Sequence, residues 1–374
     1  MSKTKRSVLS AAVLCLVGTA VLVTAASASA FEHPAKAYVD DQPTLHYEAG
    51  DGVVNDVVVR TTDAGYEIED LNSTIVLDED RAGGCRLATP HKLACQRNPS
   101  LSLTVDLADG NDFFSSFATD LRAQVTGSDG DDTFYGGPNV DTFAGGPGQD
   151  LIYGAAGGDR IDGDDGDDKI FGGDGADFIQ GGNGDDEISG GDDNDYLFGD
   201  AGRDALNGDA GDEPIIDGGH GIDTLWGSDG DDHLYSISND QDILHGDAGD
   251  DHMITSGYGD FNGGPGSDTM LYSYVRSGVT VTLDGKKNDH CSGCDNHFVH
   301  ADIENVVGSQ YDDKIYGNDS ANQLSGVEGN DLLQGNGGDD NLDVGHGENQ
   351  KEYGGPGVDT CVGYGLAIRD GCEH

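Results

Sequence analysis

From Gly127 onward the chain repeats itself every nine residues, in the pattern G-G-x-G-x-D-x-U-x with U a large apolar residue. Residues 145–153 read Gly-Gly-Pro-Gly-Gln-Asp-Leu-Ile-Tyr, and residues 181–189 read Gly-Gly-Asn-Gly-Asp-Asp-Glu-Ile-Ser. A nine-residue period with one apolar position supports neither an amphipathic helix nor a long alternating strand. Each unit can bury its U only against copies of itself, so the units must stack. Positions seven to nine form a short strand whose middle side chain points inward. The six residues before them reverse the chain, and glycines at positions one, two and four open backbone conformations closed to other residues. Two units make one flattened coil. The expected fold is all-β, a right-handed parallel β-roll or β-solenoid with a narrow apolar ladder inside.

The frame runs unbroken for ten units, from Gly127 to Ile216. Its sixth positions are Asp132, Asp141, Asp150, Asp159, Asp168, Asp177, Asp186, Asp195, Asp204 and Glu213. Its eighth positions run from Phe134 and Phe143 through Ile152, Ile161, Ile170, Ile179, Ile188, Leu197 and Leu206 to Ile215. One inserted residue, Asp217, then shifts the frame. The array resumes with Asp223/Leu225, Asp232/Leu234, a degenerate Asp242/Leu244 unit, Asp251/Met253 and Asp268/Met270. A second, shorter array carries Asp313/Ile315, Asn322/Leu324, Asp331/Leu333 and Asp340/Leu342, a poor unit from Gly345 to Tyr353, and Asp359/Cys361.

The chain has 374 residues, of which 71 are Asp or Glu and 19 are Lys or Arg, for a formal net charge of −52. That charge opposes compaction by self-repulsion. Its regular spacing marks the carboxylates as ligands for a cation rather than as a disordered acidic tract. Stacking would bring sixth-position aspartates of successive coils close together, which is unfavourable without counter-ions. Ca²⁺ takes six to eight hard oxygen ligands and suits turns lined with carbonyls and aspartates, whereas Mg²⁺ demands a tighter octahedron. The same charge excludes nucleic acid as a partner, since no basic patch is available to displace phosphate counter-ions.

The units at 127–271 and 308–362 resemble the hemolysin-type calcium-binding, or RTX, repeats, which form parallel β-rolls. The resemblance implies that sixth-position aspartates bridge multiple Ca²⁺ ions between turns, with carbonyls of the glycine-rich positions completing the shell. The implied ligands are Asp132, Asp141, Asp150, Asp159, Asp168, Asp177, Asp186, Asp195, Asp204, Asp223, Asp232, Asp242, Asp251, Asp268, Asp313, Asp331, Asp340 and Asp359. Glu213 with Pro214, Asn322 and the Gly345 unit depart from the pattern, and sites beside them are expected to be weak. The chain also resembles small secreted calcium-binding proteins of Gram-positive bacteria, in which a β-rich head precedes the repeats.

Residues 1–30 read as a signal peptide: Lys3, Lys5 and Arg6, an apolar run from Val8, then Ala28-Ser-Ala30. Cleavage there removes three positive charges, leaving −52 − 3 = −55, and leaves a secreted chain with no membrane span. Residues 31–126 read as a β-rich cap or degenerate first coils, with Asp112 and Phe114 in repeat-like places. Residues 127–271 form the first roll, 272–307 a strand-loop-strand insertion, and 308–374 the second roll and C-terminal cap. Six cysteines remain after cleavage, as neighbours Cys85/Cys95, Cys291/Cys294 and Cys361/Cys372, the pattern of three local disulfides in an exported chain.

The run His290–His300 holds two cysteines and three histidines, which could bind zinc. Export favours a disulfide in a polar loop instead. No G-x-S-x-G or H-E-x-x-H occurs, and the head leaves little room for a catalytic domain, so no enzyme is expected. The expected function is a secreted calcium-binding protein that folds on extracellular Ca²⁺. The alternative is a calcium-dependent adhesin with a cell-surface or matrix ligand, and a hydrolase with a repeat tail ranks below both. Outward positions seven and nine are irregular, which argues against a regular crystalline ligand. Tyr135, Tyr153 and Trp226 read as solenoid surface.

Overall fold

The computed structural model describes residues 34–374 except 51, 239, 292–293, 365–367 and 373–374, and leaves undescribed the side chains of 294–296 and 364. The proposed signal segment lies outside the described residues. His33–His374 form one unit. Apart from a single 3-10 turn, Glu79–Arg81, its regular structure is β throughout.

The repeats wind as a parallel β-solenoid. Strands from alternate units pair in register, Ile152 with Ile170 and Ile161 with Ile179, so one coil is eighteen residues long. Each coil adds one strand to each of two facing ladders, and the eighth-position side chains fill the space between them. Ile152, Ile161, Ile170, Ile179, Leu197 and Leu206 are wholly buried. On one outer face the ninth-position rings of Tyr135, Tyr153 and Phe171 stack at 4.9 and 4.8 Å, the interval of the strands beneath them.

Three expectations are corrected. First, the strands of the central coils are six residues long, not three: Leu151–Ala156, Arg160–Asp165 and Lys169–Asp174 run from position seven through position three of the next unit. The hydrogen-bond ladder continues past position nine, where Gly136 donates to Tyr153 and Gly148 to Asp165 of the following coil. Second, the residue buried in the Glu213 unit is Ile216, which pairs with Leu197; Ile215 faces outward beside Tyr196. The extra residue therefore falls between Glu213 and Ile216, at Pro214-Ile215, rather than at Asp217. A proline cannot donate to the ladder, so the slip is confined to a place where one backbone bond is dispensable. Third, position one is glycine for space rather than for conformation. Positive φ occurs at positions two and four, as at Gly173 and Gly175. A Cβ on Gly172, in position one, would lie 2.3 Å from Asp177 Oδ2 and 2.4 Å from the Gly190 carbonyl.

The head joins both ladders through hairpins. Thr44–Glu48 pairs with Ser102–Asp106, which pairs with Arg122–Thr126 in one ladder. Asp56–Thr62 pairs with Phe113–Phe117, and that strand with Thr133–Tyr135, in the other. The antiparallel hairpin of Cys85–Thr89 and Lys92–Gln96 at the edge is closed by the Cys85–Cys95 disulfide. At the insertion, one ladder passes straight through, Met270 to Val306 to Leu324. In the other, Val279–Thr282, Asp289–Cys291 and Cys294–Val299 form an antiparallel meander between Gly259–Asn262 and Lys314–Tyr316. Buried Asp289 fastens the meander by accepting from Thr282 N–H and Val299 N–H.

Cys291 is disulfide-bonded, and Cys294, its expected partner, sits opposite it in the hairpin, though its side chain lies outside the described residues. The three histidines of that run go to separate surroundings. His290 is exposed, His297 is buried against the Tyr272 hydroxyl at 2.7 Å, and His300 meets Asp260 at 2.7 Å. At the C-terminal end, Cys361 in an eighth position is bonded to Cys372. The poor unit places Glu352 in the eighth position beside Leu333, where Arg369 Nε donates to it at 2.7 Å.

Candidate metal centre

The sixth-position carboxylates line both edges of the solenoid in columns. In most of them Oδ1 accepts the backbone N–H of the residue in the same place one coil earlier. On one edge Asp112, Asp132, Asp150 and Asp168 donate in turn to Asp132, Asp150, Asp168 and Asp186, at 2.7, 2.7, 2.8 and 2.8 Å. The column continues through Asp204 and Asp223 to Asp242. On the other edge Asp141, Asp159 and Asp177 donate to Asp159, Asp177 and Asp195 at 2.7, 2.6 and 2.7 Å. After Glu213 the column resumes with Asp232, Asp251 and Asp268. In the C-terminal coils Asp313 donates to Asp331, and Asn322 to Asp340, which donates to Asp359.

The second oxygen of these groups divides the eighteen expected ligands into two classes. In fifteen of them Oδ2 is buried and receives no hydrogen bond: Asp132, Asp150, Asp159, Asp168, Asp177, Asp186, Asp195, Asp204, Asp223, Asp232, Asp251, Asp268, Asp331, Asp340 and Asp359. The remaining three are closed by protein donors. Asp141 Oδ2 accepts from Gly137 N–H at 2.9 Å, Asp313 Oδ2 from Ser309 N–H at 2.6 Å, and Asp242 Oδ2 from the Ser236 hydroxyl at 2.7 Å.

The backbone at position two accounts for this division. In the open units that residue has positive φ, whether glycine, as in Gly146, Gly182 and Gly264, or another residue, as in Ser128, Ala155, Asp164, Asp200, Asp247 and Asn336. Most of these exceptions are Asp, Asn or Ser, polar residues short enough to bond locally, and Asp and Asn tolerate the left-handed region best. Gly137 and Ser309 have no positive φ, and their N–H turns inward to cap the carboxylate. Asn322 shows the same closure, accepting from Asn318 N–H at 2.9 Å while its amide donates to the Glu304 carbonyl.

An orphaned carboxylate oxygen in a buried turn is a costly feature unless something else binds it. Burial pushes the pKa of Asp159 up to about 8, that of Asp132, Asp150, Asp168, Asp195 and Asp204 to about 7, and that of Asp177 and Asp186 to about 6. The hydrogen bond at Oδ1 opposes that rise, and carboxylates of neighbouring coils reinforce it in most of these groups. None of the ion pairs among the described residues involves a column carboxylate. No lysine or arginine therefore supplies the missing positive charge.

The donor set fits calcium. Among the described residues no three His, Cys, Asp or Glu side chains gather on one point, so a cation here must take most of its ligands from the backbone. Oδ2 and the position-one carbonyl of the next coil converge beside the bare Cα of many of the first glycines, at Gly145, Gly163 and Gly190 as at Gly172. Oxygen-only coordination with few carboxylates per ion is the chemistry of Ca²⁺.

Two further members of the columns lie outside the eighteen expected ligands. Asp112 has a buried, unpartnered Oδ2 and follows Ala108 at φ 64°; its Asp-x-Phe spacing and Gly110 in position four are those of the repeats, but the glycines of positions one and two are missing. Glu304 accepts from Asp268 N–H at 3.0 Å, two residues before buried Val306, the same spacing with a longer side chain. Glu213 holds its place, with both carboxylate oxygens unpartnered, and is pushed up in pKa by burial beside Asp232.

Comparison with protein families matches the RTX calcium-binding nonapeptide repeat at residues 124–152, 144–179, 153–188, 180–212, 215–236, 238–257, 301–333 and 316–350. No curated protein matches the chain significantly.

Proposed function

Through these segments the chain belongs to the RTX calcium-binding repeat family, and on that premise we propose that it is a secreted protein whose folding is switched by extracellular Ca²⁺. The observation that carries this reading is the set of buried, unpartnered Oδ2 atoms with no cationic side chain to neutralise them. Stacking these coils without calcium requires either burying charge or protonating the columns. Each bound ion removes that penalty at the coils it joins, so its binding free energy becomes folding free energy. We assign the ions to turns whose position two has positive φ, with Asp112 and Glu213 as added contributors and Asp141, Asp242 and Asp313 as structural carboxylates. The charged form repels itself in the calcium-poor state, which keeps the chain open until calcium is met.

Circular dichroism and light scattering on the chain, in chelator and in millimolar Ca²⁺, test this. The expected result is an expanded, β-poor chain in chelator and a compact β-rich one in calcium. A folded spectrum unchanged by chelation would refute it.

A further inference from the structure

One pair of side chains outside the calcium columns has the geometry of a second metal site. Strands His233–Ser236 and His252–Thr255 are parallel neighbours, with His233 opposite His252 in register. Leu234 and Met253, the next residues, are wholly buried, so both imidazoles stand on the outer face. His252 Nδ1 and His233 Nε2 are 3.0 Å apart. That is hydrogen-bond distance, and the ring centroids are 4.8 Å apart with the planes at 65°, so two imidazole nitrogens of successive coils stand side by side on one face.

We propose that His233 and His252 chelate a divalent transition metal that bridges two successive coils. With metal–nitrogen bonds of about 2.0–2.1 Å, two nitrogens 3.0 Å apart subtend roughly 91–97° at the metal. That is close to the cis angle of tetragonal or octahedral Cu²⁺ and Ni²⁺, and compressed from the tetrahedral angle zinc prefers. Water fills the remaining positions, since the described residues supply no third side-chain ligand. The exposed Asp231, which accepts from Asp250 N–H at 2.8 Å, adds negative charge at the same edge. Calcium is a poor competitor here, because a hard cation seeks oxygen and these donors are imidazoles. The two metal types would thus occupy separate parts of these coils: calcium in the turns, the transition metal across the strands.

The test is Ni²⁺ titration by calorimetry, with thermal melts, on the calcium-loaded full chain. The variants are His233→Ala, His252→Ala and the double substitution, with His245→Ala on the opposite ladder as control. Circular dichroism in calcium establishes that each is folded, and His252→Gln serves where the alanine variant is not. Sites elsewhere on the chain are common to all and subtract out. The expected result is one class of site weakened roughly tenfold or more by either substitution, and a Ni²⁺-dependent rise in Tm that the double variant lacks. An isotherm and Tm response unchanged in the double variant would mean only a hydrogen bond between neutral imidazoles, and would overturn the proposal. Equal loss in His245→Ala would do the same.

Discussion

Replacing Asp168 and Asp141 separately by asparagine should separate metal-binding carboxylates from structural ones, because the two lie in chemically opposite settings. Asp168 Oδ1 accepts one backbone N–H, from Asp150 at 2.8 Å, and its Oδ2 is open. Asparagine can keep the first bond but puts an amide NH₂, which cannot ligate a cation, where the open oxygen stands. The ions on either side lose a charged ligand, a loss of roughly tenfold in affinity or about 1.4 kcal/mol. In chelator at pH 8 the same substitution removes a carboxylate whose pKa burial holds at about 7, so the metal-free folded form becomes less unfavourable. Asp168→Asn should therefore raise the calcium midpoint and slightly increase order in chelator. Asp141 is different: both oxygens are occupied, by Ala123 N–H at 2.7 Å and Gly137 N–H at 2.9 Å. Asparagine there sets an NH₂ against an N–H donor and loses a charge-assisted bond, costing about 1.5–3 kcal/mol whether or not calcium is present. The assay is a calcium titration followed by circular dichroism, with melts at saturating calcium. If Asp141→Asn moves the midpoint as far as Asp168→Asn, or if Asp168→Asn leaves it in place, position-two geometry does not decide which carboxylates bind metal.

Acid should partly replace calcium. Column carboxylates with folded pKa values of about 6 to 8 stand above their unfolded value near 3.8, so the metal-free fold is most favoured below pH 4 and weakens as pH rises through 6 to 8. Circular dichroism in chelator should then show β-structure growing as pH falls from 8 to 5, and a flat response contradicts the assignment. At the C-terminal end, Arg369→Ala leaves wholly buried Glu352 without its partner and should cost about 3 kcal/mol, read as a lower Tm in calcium. Glu352→Leu combined with it should recover that loss, since Leu333 precedes it in the same apolar column.

The fold was legible because its determinants are local and periodic. One apolar residue at position eight leaves stacking as the only means of burial, and every such residue from Phe134 to Leu206 is interior. The exception shows the limit. Ile215 and Ile216 are equally apolar, and only the ladder's need to keep Leu197 opposite a buried side chain selects Ile216. The insertion was legible as a break, but not its antiparallel meander. Those pairings set Val279 opposite Cys291 and Gly259 beside His297, which no period records. The hairpins of the head were likewise visible as strands without their partners, since short β-branched runs do not specify a neighbour.

The ligand columns were legible in position but not in chemical state, and the reason lies in position two. The consensus places glycine at positions one and two alike, yet the two glycines serve unrelated ends. At position one the side chain is absent because the aspartate of the same unit and the carbonyl of the next coil occupy its place, as Gly172 shows. At position two the backbone must turn left-handed, and Asp164, Asp200 and Ser128 do so where Gly137 does not. A consensus letter therefore misjudges both kinds of unit: Gly137 satisfies the motif and closes its carboxylate, while Asp200 departs from it and leaves Asp204 open. The length of the preceding strand does not set the φ at this position. Ala155 and Asp164 turn left-handed inside six-residue strands, but Gly219 and Asn336 do so beyond the three-residue strands Ile215–Asp217 and Leu332–Gln334, and Asp223 and Asp340 stay open there. Turn handedness and metal competence are thus one variable: where position two is left-handed the aspartate is left for calcium, and where it is not, as at Gly137 and Ser309, the backbone N–H takes calcium's place.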